Sequence, residues 1–232
     1  MGNCARCNSR AGELNPKPEN PAWWNLGIAA TALRDWDLAR QAWISYGVRL
    51  PAGDGPIQAD FGWAPVRIDP EGEPEVVWGR RIDPARVVIE NIPFPESGHR
   101  HGDVVLHDGD PRGEREVDGR TYPVFNEIEL WQASGTPTVV AELKCPEQGD
   151  ARAALDTCEA AGLKAEDWSG SVRILCRACS EGRPHRRHDS SGPPGWQQRR
   201  SFGFAAEAQA VRAVLEKWQA RGHGRVASVF ED

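Results

Sequence analysis

The sequence predicts an α+β chain assembled from small modules: an N-terminal helical hairpin, a small β-domain and a C-terminal βαββαβ domain. Three patterns carry that expectation. Apolar residues recur at helical spacing over residues 20–50, short runs broken by turn residues fill 56–135, and strands alternate with amphipathic helices after 136. A chain of 232 residues can bury more than one core, and its 18 prolines and 24 glycines favour many short elements over a few long ones.

Residues 1–19 are polar and without periodicity, so an irregular tail is expected, with the CxxC pair Cys4/Cys7 as its one feature. The hairpin occupies 20–55. Asn20 offers a cap and Pro21 fits the first helical position. Trp23, Leu26, Gly27, Ala30 and Leu33 then form one apolar face. Asp35 caps a second helix carrying Trp36, Ala39, Trp43 and Tyr46, and Pro51 lies beyond its end.

Trp23, Leu26, Gly27, Trp36, Ala39, Trp43 and Pro51 stand in the order of large, small and proline positions that resembles one tetratricopeptide repeat, over residues 20–53. The departures are Ala30, where an aromatic residue is usual, and Tyr46, where a small one is. No second copy follows, and stacks of such repeats need roughly three to be stable. The hairpin is therefore expected to pack on another module or on a partner. The resemblance implies a protein-binding scaffold, with Trp23, Trp24, Trp36 and Trp43 as the contact residues.

In the β-domain (56–135) the expected strands are Val66–Ile68, Glu75–Trp78, Arg86–Ile92, Asp103–His107 and Thr121–Trp131. Asp118-Gly119 marks a hairpin. The alternation of Val124, Asn126, Ile128 and Leu130 gives a barrel-like sheet with one wet face. From 136 to 232 the strands are Pro137–Leu143, Ser171–Leu175, Arg200–Ala205 and Val226–Phe230, with helices over Asp150–Ala161 and Ala208–Arg221. That order is the ferredoxin-like one. It hosts enzymes, metal binders and RNA binders alike, so it selects no function.

Six cysteines with no apolar export segment lead to an expected cytoplasmic protein whose thiols serve metal or redox chemistry before disulfides. Cys145 and Cys158 stand alone and suit buried positions. In the loop 176–198, Cys176 and Cys179 precede His185 and His188. A CxxC turn and an HxxH turn supply four ligands suited to a tetrahedral, structural Zn²⁺. A rival set joins Cys4, Cys7, Cys176 and Cys179, and the same residues also fit free thiols or a redox dithiol.

Two further clusters carry weaker signals. His99, His101 and His107, with Glu96, Asp103 and Asp108 as candidate bases, suit a metal-dependent hydrolase; they equally suit a polar turn whose imidazoles bond to backbone. Arg173, Arg177, Arg183, Arg186, Arg187, Arg199 and Arg200 surround the zinc loop. The run from Arg200 through Phe202 and Phe204 resembles the third-strand signature of the RNA-recognition motif. Ser201 and Ala205 depart from it, and the first strand lacks a companion aromatic, so Phe202 and Phe204 are expected in the core. A net charge of −6 opposes coating of nucleic acid through bulk charge. No run reaches the ~20 apolar residues of a membrane helix. The expectation is thus a zinc-stabilised, non-catalytic interaction protein with a protein partner. Binding of RNA or phosphate through Arg186 and Arg187 comes second, and the hydrolase third.

Overall fold

A computed structural model describes residues 2–14, 17–72, 74–170 and 196–231, leaving out the side chains of residues 2–5. Among the described residues the chain is mixed α+β, and no helix is long and apolar enough to cross a membrane. It divides into two compact units. The first comprises Met1–Arg67, Trp78–Val88 and Val104–Gln132; the second comprises Ile68–Val77, Ile89–Asp103 and Ala133–Asp232.

The first unit opens with helices α1 (Gly2–Leu14), α2 (Pro21–Ala32) and α3 (Trp36–Tyr46). Instead of an irregular tail, residues 2–14 are helical. Gly2 and Gly12 weaken the intrinsic helical signal, and tertiary packing supplies what propensity does not. A Cβ at Gly12 would lie 2.7 Å from the Trp23 ring, so α1 meets α2 over bare backbone. In the hairpin the Asn20 side chain accepts from Ala22 N (3.0 Å) and Asp35 accepts from Leu38 N (3.2 Å). Gly47 ends α3 at φ 110°, a left-handed stop that glycine adopts without strain. Gly27 gives α2 and α3 their close approach, because a Cβ there would lie 2.6 Å from the Trp43 ring.

Strands β1 (Trp63–Ile68), β2 (Glu75–Arg81), β3 (Arg86–Ile89), β4 (Val104–His107), β5 (Glu114–Val117), β6 (Arg120–Pro123) and β7 (Phe125–Gln132) follow. A closed barrel forms in the order β1-β2-β3-β4-β7, with β5 and β6 as a separate ribbon. An up-and-down path of five strands brings its first and last together in parallel, and Val66 indeed pairs with Phe125 in a parallel ladder. The single strand expected over 121–131 is broken at Val124. Pro123 has no N–H to give the ladder, and Val124 bonds back to the segment before β5, donating to Gly113 O (2.9 Å) and accepting from Arg112 N (2.7 Å), before the chain enters β7. Asp118 and Gly119 make the ribbon's turn with φ of 51° and 72°, both left-handed as a tight hairpin requires.

The second unit contains β8 (Thr138–Lys144), α4 (Gln148–Ala160), β9 (Lys164–Asp167), β10 (Arg199–Ala205), α5 (Ala208–Ala220) and β11 (Arg225–Glu231). The sheet order is β11-β8-β10-β9, with antiparallel neighbours throughout. Both helices cover one face, where Leu143, Phe202, Phe204, Val211, Leu215 and Trp218 form the core. On the other face the Trp168 ring lies over Gly203, and its Nε1 donates to Ile92 O (3.2 Å). Phe94 meets that ring edge-on at 4.8 Å, so residues 92–94 shield part of the sheet. The strand expected at Ser171–Leu175 lies outside the described residues. The partner of β10 is Lys164–Asp167, reached by a short turn through Gly162 at φ 72°. Its mixture of charged residues and alanine has little strand propensity, which hid it from pattern reading.

Candidate functional site

A cleft of about 700 Å³ opens in the first unit, between the N-terminal half of α2, the 108–112 loop and β7. The sequence builds it by leaving Trp24 only half-buried at the edge of the hairpin core. Trp23 packs inward with Leu26, Ala29 and Ala42, whereas Trp24, next along the helix, lines the cleft. Trp24 is fixed edge-on against Trp43 (5.0 Å) and Tyr46 (4.9 Å). The opposite wall is Phe125 and Ile128 of β7, and Ile128 remains 43% exposed although apolar. Gly109 lies so close to the Trp24 indole that any Cβ would collide with it.

The polar groups of the cleft are Arg81, Asp108, Asp110 and Arg112. Asp110 and Arg112 pair with each other at 3.1 Å. Arg81 donates through Nη2 to Pro84 O (2.9 Å), its Nε has no hydrogen-bond partner, and its guanidinium carbon lies 5.9 Å from the Phe125 ring centre. Burial lowers its pKa from the usual value, and the charge of Asp83 opposes that shift. Burial likewise pushes the Asp108 carboxyl up, opposed by the Asn126 N–H and by Arg112. The loop wall is held firmly. Arg67 donates to Asn126 Oδ1 (2.6 Å) and to Arg112 O (3.2 Å), and Asp108 N donates to Asn126 O (2.9 Å). The arrangement is an apolar-aromatic slot with a half-buried cation at one side, suited to an apolar group that carries a carboxylate.

Of the four hairpin tryptophans, Trp24 reaches this slot. Trp23 and Trp43 are core residues, 7% and 0% exposed, and support the surface from beneath. Trp36 instead lies 5.0 Å from the Arg86 guanidinium. The three histidines of the 99–107 segment are each bonded to a carbonyl. His99 Nδ1 meets Ser97 O at 2.8 Å, His101 Nδ1 meets Asn91 O at 3.3 Å, and His107 Nδ1 meets Asp108 O at 2.6 Å. They form no metal-holding cluster; among the described residues no group of three His, Cys, Asp or Glu does. Cys145 and Cys158 are buried free thiols, and burial pushes both up to about 11. Cys7 is exposed on α1. Cys176, Cys179, His185, Arg186, Arg187 and His188, with the side chain of Cys4, lie outside the described residues. Phe202 and Phe204 are fully buried under the helices and offer no stacking platform.

Arg81, Gly109 and Phe125 are among the cleft residues that motif reading misses, as are Asp110 and Arg112. Arg81 ends a strand and Phe125 begins one, far apart in sequence, and closure of the barrel brings both to the α2 side. Comparison with family models, with curated proteins and with solved structures finds no match.

Proposed function

We propose that the chain is a non-catalytic protein-interaction module whose first unit captures a short segment of a partner protein in the Trp24 cleft. The observation that carries this reading is the slot itself: three aromatic rings, an exposed Ile128 and the guanidinium of Arg81, whose Nε has no hydrogen-bond partner, in one concavity. The segment it fits carries an apolar or aromatic side chain next to an Asp, a Glu or a chain-terminal carboxylate. The side chain fills the Trp24–Phe125 slot and the carboxylate takes the remaining N–H groups of Arg81.

The packing of Gly27 against Trp43 supports assigning the hairpin as a single tetratricopeptide-like repeat seated on a barrel instead of on further repeats. The sheet order β11-β8-β10-β9 supports a ferredoxin-like second unit. In the same reading a structural Zn²⁺ is held by Cys176, Cys179, His185 and His188, or by Cys4, Cys7, Cys176 and Cys179, and orders the loop between β9 and β10.

Selection from a displayed library of random peptides tests the proposal. The full chain is expected to enrich peptides with an aromatic or large aliphatic residue adjoining a carboxylate. Trp24→Ala and Arg81→Ala are each expected to abolish that enrichment while retaining the fold. Failure to enrich any such motif, or enrichment indifferent to both substitutions, contradicts it.

A further inference from the structure

The sheet of the second unit has one face under its helices. On the other, Trp168 and residues 92–94 cover the part around Gly203, whereas among the described residues the end at Arg199, Lys144 and Arg225 is exposed and carries a charge pattern that folding does not explain. Lys144 pairs directly with Arg225 on β11 and with Arg199 on β10. Directly opposed residues share a face, so three cations stand abreast across three adjacent strands. Their neighbours Leu143, Val226 and Arg200 point to the helix side, where Leu143 and Val226 join the core. Like charges directly opposed across strands destabilise a sheet. On this face Glu142 offsets the row by pairing with Arg199 at 3.1 Å, and the Arg199 side chain stays 72% exposed; Glu166, further along on β9, bonds to Asn91 instead. Lys144 and Arg225 are exposed too.

Further along the same face the next row is Ser228, Glu142 and Ser201, and the row after it is Phe230, Val140 and Gly203. Phe230 is 57% exposed, although it is a large apolar ring on a strand whose Val229 packs into the core. Four residues along a strand separate Lys144 from Val140, a distance of ~13 Å. An extended single strand of nucleic acid spans that distance in about two nucleotides.

From this geometry we propose that the exposed part of this face, on β11, β8 and the start of β10, binds single-stranded nucleic acid, with phosphates on Arg225, Lys144 and Arg199 and a base stacked on Phe230. The exposed ring favours a nucleic acid over an acidic polypeptide, which has use for the cations but no need of a stacking surface. The site differs from the run through Phe202 and Phe204, whose rings are buried on the other face. It is independent of the Trp24 cleft.

Fluorescence anisotropy of a labelled oligouridylate of about ten nucleotides, titrated with the full chain, tests this. Three phosphate contacts give a log affinity that falls with log salt at a slope of about −2. Lys144→Ala/Arg225→Ala is expected to weaken binding at least about tenfold and to flatten the slope to about −0.7, one contact's worth. Phe230→Ala is expected to weaken it about tenfold with the slope unchanged, since stacking releases no counterions. All these positions are exposed, so circular dichroism and thermal unfolding should match wild type. Absence of binding at low salt overturns the proposal. Binding that survives both variants overturns it as well, by placing the contact elsewhere on the chain. Equal competition by polyglutamate, with Phe230→Ala inert, assigns the face to acidic polypeptides instead.

Discussion

Two buried polar groups of the first unit, an ion pair and an imidazole, show how single residues set its stability. Arg86 and Asp83 are 1% and 0% exposed and joined at 2.6 Å. Asp83 also accepts from the backbone of Ala85 (2.8 Å) and Arg86 (2.7 Å), and Arg86 donates to Ile57 O (2.7 Å). Trp36 and Trp131 lie 5.0 and 4.4 Å from the guanidinium. Asp83→Ala strands that cation in the core and should cost about 3–5 kcal/mol in urea denaturation, because a buried charge loses its counter-charge. His107 is the second. Burial lowers its pKa from 6.5 to about 4; its bond to the Asp108 carbonyl opposes the shift and the charge of Arg81 adds to it. The unfolded chain therefore takes up this proton first, so the contribution is whole above pH 6.5 and is lost as pH falls toward 4. Between about pH 7 and pH 4, wild type should lose roughly 3 kcal/mol more than His107→Gln, read by urea denaturation at each pH. Equal losses contradict the neutral, buried imidazole.

At the scale of elements, the hairpin is held by a bare backbone under a ring. Gly27→Val forces side-chain carbon into Trp43 and should destabilise by about 1–3 kcal/mol, seen as a lowered Tm. Gly47→Val should fall in a similar range for a different reason, strain at φ 110° with open space around the site. The caps and turns were legible in the sequence because they are local. Asn20 with Pro21, Asp35 and the Asp118-Gly119 turn each fix a neighbour's geometry through their own chemistry. Helix α1 and strand β9 were not legible. The first depends on the contact of Gly12 with Trp23, and the second on pairing with β10; neither is written in any short window. The cleft was half legible. Trp24 stood out by composition, and Asp108 by its place near the histidines. Arg81 and Phe125 carry no pattern, and only closure of the barrel brings them to the same wall.

For the molecule as a whole, the histidine segment illustrates how a sequence cluster disperses on folding. His107 goes to the barrel core, while His99 and His101 bond to carbonyls of the 89–103 stretch, so proximity along the chain does not become a ligand set. The zinc expectation rests on the spacing of Cys and His in the chain and is tested by elemental analysis. One zinc per chain is expected, lost in Cys176→Ser. Loss in His185→Ala/His188→Ala assigns the local set, loss in Cys4→Ser/Cys7→Ser assigns the four-cysteine set, and no zinc in wild type removes the claim. The proposed role of the whole molecule turns on the Trp24 cleft as a binding site for a partner segment. Its most direct measurement is hydrogen–deuterium exchange of the full chain with and without a peptide chosen by the display selection. Slowed exchange is expected in residues 21–32, 108–113 and 125–128, absent in Arg81→Ala. Protection confined to other segments, or persisting in that variant, contradicts it.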